Sequence, residues 1–147
     1  MSKTNSNRLF FPAGKHVRKG FKRVSNGFVL LRGSWVMERA NRMADEFGMS
    51  QSDACRKAHL AWNLLVLMGK DIVTFQYRKL DGTLRQARGT LDPFKDPAFL
   101  EAMYKLAEQR CGHEDEPYDI SLDTVNYWDM DKHGWRTFLI RFLDGQR

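Results

Sequence analysis

The chain has few cysteines and no long hydrophobic run. Its two cysteines, Cys55 and Cys111, are far apart in the 147-residue sequence and form no C-x-x-C pair. We therefore expect no disulfide framework and a cytoplasmic location. The longest apolar run covers residues 64–68, whereas a membrane-spanning helix needs about 20 apolar residues. We expect no membrane segment, and the charged, proline-containing start does not resemble a signal peptide.

Acidic residues are missing from the first 37 positions, which hold eight Lys and Arg, whereas residues 92–131 hold eleven acidic and three basic residues. We predict a flexible basic arm over residues 1–20, followed by a single domain over 21–147. One hypothesis is that the basic segment contacts a polyanion. The alternative is a solvated tail that aids solubility. The cations concerned are Lys15, Arg18, Lys19, Lys22 and Arg23.

Motifs for catalysis and cofactor binding are also missing. No glycine-rich phosphate loop or dinucleotide fingerprint occurs in the sequence. The four histidines are scattered, without the spacing of a metal site. We predict a protein that is not an enzyme, with no cofactor and no metal.

Helical periodicity appears in the middle of the chain. Ser34 is a suitable N-cap, Gly48 a suitable C-cap and Ser50 a second N-cap, which predicts a helical hairpin over about 35–68. Pro97 predicts a further helix over about 98–110. Residues 28–32, followed by the two helices with the segment 48–52 between them, resemble a ribbon-helix-helix unit. The helical hairpin also resembles a helix-turn-helix unit, although two ordinary helices covering a core are the alternative.

Alternating apolar residues predict strands on both sides of the helical hairpin. Ser25-Asn26-Gly27 predicts a short β-hairpin over 21–32. In the segment from Val73, a three-residue loop, Leu80–Gly82, places Phe75 opposite Ala87 and keeps one face apolar. A second hairpin is predicted over 121–143. Strands this short favour a small antiparallel SH3-like barrel over about 71–143, and the fold class is α+β.

The same strands resemble a known family. Residues 73–91, Tyr127-Trp128-Asp129 and 134–138 are similar to the paired hairpins of a WYL-like family of SH3-like barrel proteins from bacteria and phages. The segment 54–62 is similar to the helices that precede that barrel. The resemblance covers about 35–142, and the family itself has no established activity. The better-known WYL domains are regulatory sensors thought to bind nucleic acid or nucleotides, so the resemblance implies a binding or regulatory role.

Two arginines are the leading site candidates, because Arg85 and Arg136 share the parity of the inward-facing apolar residues. A buried guanidinium needs a partner for its charge. In the functional interpretation both arginines bind a phosphate or carboxylate at one end of the barrel, with Tyr77 and Trp128 stacking on a base. In the structural interpretation Asp129 or Asp131 pairs with them.

We therefore predict a nucleic-acid-binding or regulatory accessory protein. Its contacts would come from the basic arm, from Arg88 and from the Arg85/Arg136 end of the barrel. The alternative is a protein-interaction or small-ligand sensor domain that uses the aromatic barrel surface and the acidic strip 113–131.

Overall fold

The computed structural model describes residues 8–12, 21–24, 27–109 and 121–146. The first described residues form a three-stranded antiparallel sheet in the order β1-β3-β2. Its strands are β1 (Arg8–Pro12), β2 (Phe21–Val24) and β3 (Gly27–Leu31).

The predicted hairpin over 21–32 is confirmed by the pairing of β2 with β3. The strand β1 is not part of that prediction, which had residues 1–20 as an arm without regular structure. Leu9-Phe10-Phe11 is a short apolar and aromatic run suited to a strand, and Pro12 is tolerated because it ends an edge strand.

Two helices follow. α1 (Arg32–Phe47) begins directly after β3, and α2 (Gln51–Met68) begins after a three-residue link. Gly48 ends α1 in the left-handed conformation at φ 65°, and the Ser50 hydroxyl accepts the Asp53 amide at 3.1 Å. Both caps are as predicted, but Ser34 is not the first N-cap. Leu31 takes that position with no side-chain hydrogen bond, because β3 runs directly into α1.

Small side chains allow α1 and α2 to pack closely. Both helices contribute fully buried alanines to the core, and the rings of Trp35 and Trp62 join the two helices with their centroids 5.6 Å apart. These alanines are Ala40, Ala54, Ala58 and Ala61. The helical hairpin predicted over about 35–68 is therefore confirmed.

Five antiparallel strands form the second sheet, in the order β7-β6-β5-β4-β8. The strands are β4 (Val73–Arg78), β5 (Leu84–Thr90), β6 (Thr124–Asp129), β7 (Gly134–Leu139) and β8 (Leu143–Gln146). The predicted register is confirmed, because Phe75 pairs with Ala87 and Tyr77 with Arg85. Gly82 has φ 88°, the left-handed position that the three-residue loop requires.

Aromatic side chains show that this sheet curls into a barrel. The ring centroid of Phe138 in β7 lies 5.5 Å from that of Phe75 and 5.3 Å from that of Tyr77, both in β4. These rings meet although two strands separate β7 from β4 in the sheet. Gly89 makes this packing possible, since a Cβ atom there would lie 2.6 Å from the Tyr127 ring.

The helix α2 and the strand β8 meet at one side of the barrel. The Lys57 ammonium donates to the Leu143 carbonyl at 2.6 Å. β8 in turn pairs with β4, the first strand of the barrel. In this pairing Phe75 lies opposite Gln146, so the two ends of the barrel sequence meet. The last strand therefore holds the first strand and the helical pair together.

A third helix, α3 (Pro97–Gln109), follows a short 3-10 helix over Pro93–Lys95. Asp96 begins α3 by accepting the Ala98 amide at 3.0 Å. The predicted helix over 98–110 agrees with these bounds within one residue. Phe99 is the residue of α3 that is buried against the rest of the domain. Within the described residues, no helix has the length and apolar character needed to cross a membrane.

Candidate functional site

Arg85 meets a carboxylate on the next strand. Its Nη2 atom lies 2.6 Å from Oδ2 of Asp129, and the Asp129 side chain is only 1% exposed. The other carboxylate oxygen accepts the amides of Asp131 and Lys132. Burial acts to raise the pKa of Asp129, but the hydrogen bonds from Arg85 and the two amides outweigh it and hold this pKa below its usual value. The pair joins β5 to β6, as the structural interpretation predicts for Arg85.

Two tyrosines complete this region. The hydroxyls of Tyr77 and Tyr127 lie 2.8 Å apart in the barrel interior. Burial, followed by the bond to Tyr77, raises the pKa of Tyr127, so its hydroxyl is neutral. We call Tyr77, Arg85, Tyr127 and Asp129 the inner cluster. Within it the two hydroxyls bond each other and Arg85 bonds Asp129, whereas the buried Nε of Arg85 has no hydrogen-bond partner among the described residues.

The predicted stacking residues have no free ring face. Tyr77 is 5% exposed and Trp128 is 3% exposed. Trp128 lies on the outer side of β6. Its ring stacks on that of Phe99, with a centroid distance of 4.7 Å and an interplanar angle of 5°. Its indole N–H donates to Asp96 at 2.8 Å. The expectation that these two rings stack on a base is therefore corrected, because both are packing residues.

Arg136 differs from Arg85 despite having the same parity. It pairs directly with Tyr127, which places it on the barrel side of β7, yet its side chain is exposed. Arg136 lies near the beginning of β7, an edge strand with no further neighbour in the sheet that the structure describes. The expectation that it is buried is wrong. Among the residues that the structure describes, no carboxylate pairs with it.

An exposed tryptophan lies beside Arg136. Trp135 is 47% exposed and contacts Trp128 and Phe99 edge to face, at 5.7 and 5.1 Å. Sequence reasoning missed it, although its parity opposite to Phe138 places it on the outer side of the barrel. A large aromatic residue on that side is the signal that could have identified it.

His133 lies at the turn that precedes Trp135. Its Nδ1 atom is 2.7 Å from Oδ2 of Asp96, and the two side chains are 61% and 6% exposed. The hydrogen bonds from Trp128 and His133 hold the pKa of Asp96 below its usual value. His133 has φ 50°, an uncommon conformation for a residue other than glycine. Sequence reasoning missed this contact because it joins residues from two separate turns. We call His133, Trp135 and Arg136 the hairpin site.

The remaining predicted contact residues are only partly described. Arg88 is exposed and lies 3.2 Å from Asp131. Lys22 and Arg23 belong to β2, where the described structure covers the backbone. Lys15, Arg18 and Lys19 lie outside the described residues.

The described part of the acidic strip is already paired within the chain. Asp123 accepts Arg42 at 2.8 Å, and Asp129 and Asp131 accept Arg85 and Arg88. Residues 113–120 of the strip lie outside the described residues. Over the described ranges, no group of three or more His, Cys, Asp or Glu side chains is placed to hold a metal ion.

The curled five-stranded sheet, its aromatic interior and the preceding helical pair define an α+β protein with an SH3-like barrel. The model of the WYL_2 family, which has an Sm-like SH3 β-barrel fold, matches residues 61–144. The chain belongs to this family, and the match extends from α2 into β8. Neither the curated proteins nor the solved structures include a significant match. Membership suggests a regulatory or binding role, and barrels of this kind are typically non-catalytic.

Proposed function

We propose that the protein binds nucleic acid without catalysing a reaction, using its basic N-terminal residues and the hairpin site. The charge distribution carries this proposal: the first 37 residues hold eight cations and no carboxylate. Phosphate backbones attract such segments whatever their base sequence, because bound cations release condensed counterions.

The barrel supports the proposal through Arg136 rather than Arg85. The guanidinium of Arg85 is neutralised by Asp129 at 2.6 Å, which leaves it little capacity for a second anion. Arg136 is exposed and has no acidic partner among the described residues. It follows Trp135 directly in β7, so the two side chains lie on opposite faces of the strand. The hairpin site therefore has an aromatic residue on the outer face and a cation on the barrel face.

A protein partner bound through the acidic strip 113–131 is the alternative. Its described aspartates are engaged by arginines of the same chain, which makes them weaker attractors for an external cation. We therefore prefer the nucleic-acid function.

Fluorescence anisotropy with a labelled oligonucleotide tests the proposal over about 50 to 200 mM salt. We expect the logarithm of the binding constant to fall linearly with the logarithm of the salt concentration, by roughly 0.7 to 0.9 per phosphate neutralised. Affinity that does not change with salt would overturn the proposal.

A matched pair of variants locates the contact. In the first, five basic residues of the N-terminal segment are changed to Gln; in the second, five exposed basic residues of the described domain are changed, so both lose the same charge. We expect the first variant to lose most of the salt dependence and the second to keep it. The two sets are Lys15, Arg18, Lys19, Lys22 and Arg23, and Arg56, Lys70, Lys79, Lys95 and Lys105.

A further inference from the structure

We infer that the hairpin site binds an unpaired nucleobase, so that the preferred ligand is single-stranded nucleic acid. This rests on the proposed function and specifies it. Trp135 supplies the stacking surface, and His133 supplies a hydrogen bond to the edge of the base.

The first step is that Trp135 is both exposed and fixed. Nearly half of its surface is open, at 47%. Its ring stands almost perpendicular to both Trp128 and Phe99, at 84° and 79°, beside the stack that those two rings form. A ring held in this way loses little conformational freedom on binding. Stacking on an aromatic side chain is tolerant of base identity because every base has a π face.

The second step concerns the proton on His133. Asp96 is ionised, since hydrogen bonds from Trp128 and His133 keep its pKa below the usual value. An ionised carboxylate can only accept hydrogen bonds. The Nδ1 atom of His133, at 2.7 Å from Asp96, therefore carries its proton. The other ring nitrogen, Nε2, has no hydrogen-bond partner within the described part of the chain, and the side chain is 61% exposed.

The third step is that one buried carboxylate orients both parts of the site. Asp96 accepts from His133, from the Trp128 indole and from the first turn of α3. Trp128 is in turn the cross-strand partner of Trp135. His133 has a left-handed backbone at φ 50°, a conformation that is uncommon for a residue other than glycine and that is concentrated at functional positions.

The last step is the choice of ligand. A flat aromatic surface and a directed ring nitrogen correspond to two parts of a nucleobase, its face and its edge. A duplex hides its base faces in the stack, so this arrangement suits an unpaired strand.

The test compares three labelled ligands of equal length: oligothymidine, a strand of abasic sites and a duplex. All three carry phosphates, but only oligothymidine offers free base faces. We expect oligothymidine to bind the wild type about 5- to 100-fold more tightly than the abasic strand, which corresponds to stacking of about one base. Equal affinity for these two strands would overturn the inference and leave the proposed function standing. No binding of any ligand would overturn both.

Variants assign the preference to residues. Trp135→Ala should remove the preference for oligothymidine while leaving the affinity for the abasic strand unchanged, and His133→Ala should reduce the preference severalfold. Trp135→Phe keeps an aromatic surface and should retain part of it. Tyr104→Ala is the matched control, because Tyr104 is an aromatic residue of α3 that is 65% exposed. If Trp135→Phe and Trp135→Ala both keep the full preference, the site is not at Trp135.

Discussion

The inner cluster and the hairpin site each contain an arginine of inward strand parity. We expect the arginine of the inner cluster to stabilise the fold and that of the hairpin site to bind a ligand. Each of these arginines pairs with a tyrosine of the inner cluster, Arg85 with Tyr77 and Arg136 with Tyr127. Arg85 forms an ion pair with the buried Asp129 at 2.6 Å, whereas Arg136 is exposed. The comparison shows that strand parity alone does not decide whether an arginine stabilises the fold or is available to a ligand. The position along the strand and the nearest carboxylate decide it.

The largest effect should come from Asp129→Asn, which keeps the shape of the side chain but removes its charge. Arg85, whose side chain is 20% exposed, would lose its ionic partner in a mostly buried place. We expect a loss of about 3 kcal/mol in the free energy of unfolding, measured by urea denaturation.

Asp131→Asn is the matched control, because its pair with Arg88 is more than half exposed on both sides. We expect that change to cost less than about 0.5 kcal/mol. Equal losses in the two variants would contradict the distinction between a buried and an exposed pair.

Gly89→Ala should have the next largest effect, since it tests the packing around the inner cluster. The added Cβ would lie 2.6 Å from the Tyr127 ring and 3.1 Å from the Phe75 ring. Overpacking of this kind typically costs about 2 kcal/mol, which a shift in the thermal midpoint would report. At Gly33, in the first turn of α1, nothing lies within 4 Å. Gly33→Ala should therefore leave the midpoint unchanged or raise it.

The free energy of unfolding should depend on pH through Asp96, the carboxylate that supports the hairpin site. Its pKa is lowered in the folded protein, first by the Trp128 bond and then by His133. The stability from this carboxylate is therefore present above its unfolded pKa of about 4 and is lost as the pH falls through the lower folded value. We expect Asp96→Asn to cost roughly 2 kcal/mol at pH 7.

The difference between wild type and Asp96→Asn should shrink below about pH 4, where the unfolded carboxyl is protonated. Urea denaturation of both proteins over a pH series measures it. A difference that stays constant down to the lowest pH would show that Asp96 does not act through its charge.

Arg136→Ala should have the smallest effect on stability. It is also the most direct test of whether Arg136 contacts a phosphate of the ligand. We expect a change of less than about 0.5 kcal/mol in the free energy of unfolding, as for other exposed substitutions. The slope of the salt dependence of oligonucleotide binding should fall by roughly 0.7, which corresponds to one lost phosphate contact. An unchanged slope would remove Arg136 from the interface.

Local patterns were sufficient to predict much of the barrel. The face of Phe75 and the left-handed Gly82 follow from alternation and loop chemistry, so the register of β4 with β5 could be derived. The beginning of α1 could not, because β3 enters the helix directly and Ser34 has no capping role. A side-chain signal for a cap is absent at Leu31.

The candidate site was less predictable, because its contacts join distant parts of the chain. The bond from His133 to Asp96 depends on how α3 packs against the β6–β7 hairpin, and no periodicity encodes that packing. The exposure of Arg136 depends on the order of strands in the sheet. Parity placed Arg136 on the correct side of β7 but could not show that the barrel is open there.

The pairing of β8 with β4 gives this small domain a late step in its assembly. The first barrel strand is synthesised long before its partner, since Phe75 pairs with Gln146. Until that partner is available, β4 presents a row of unpaired backbone groups that can pair with another chain. We therefore expect a variant that lacks β8 to self-associate through the exposed edge of β4.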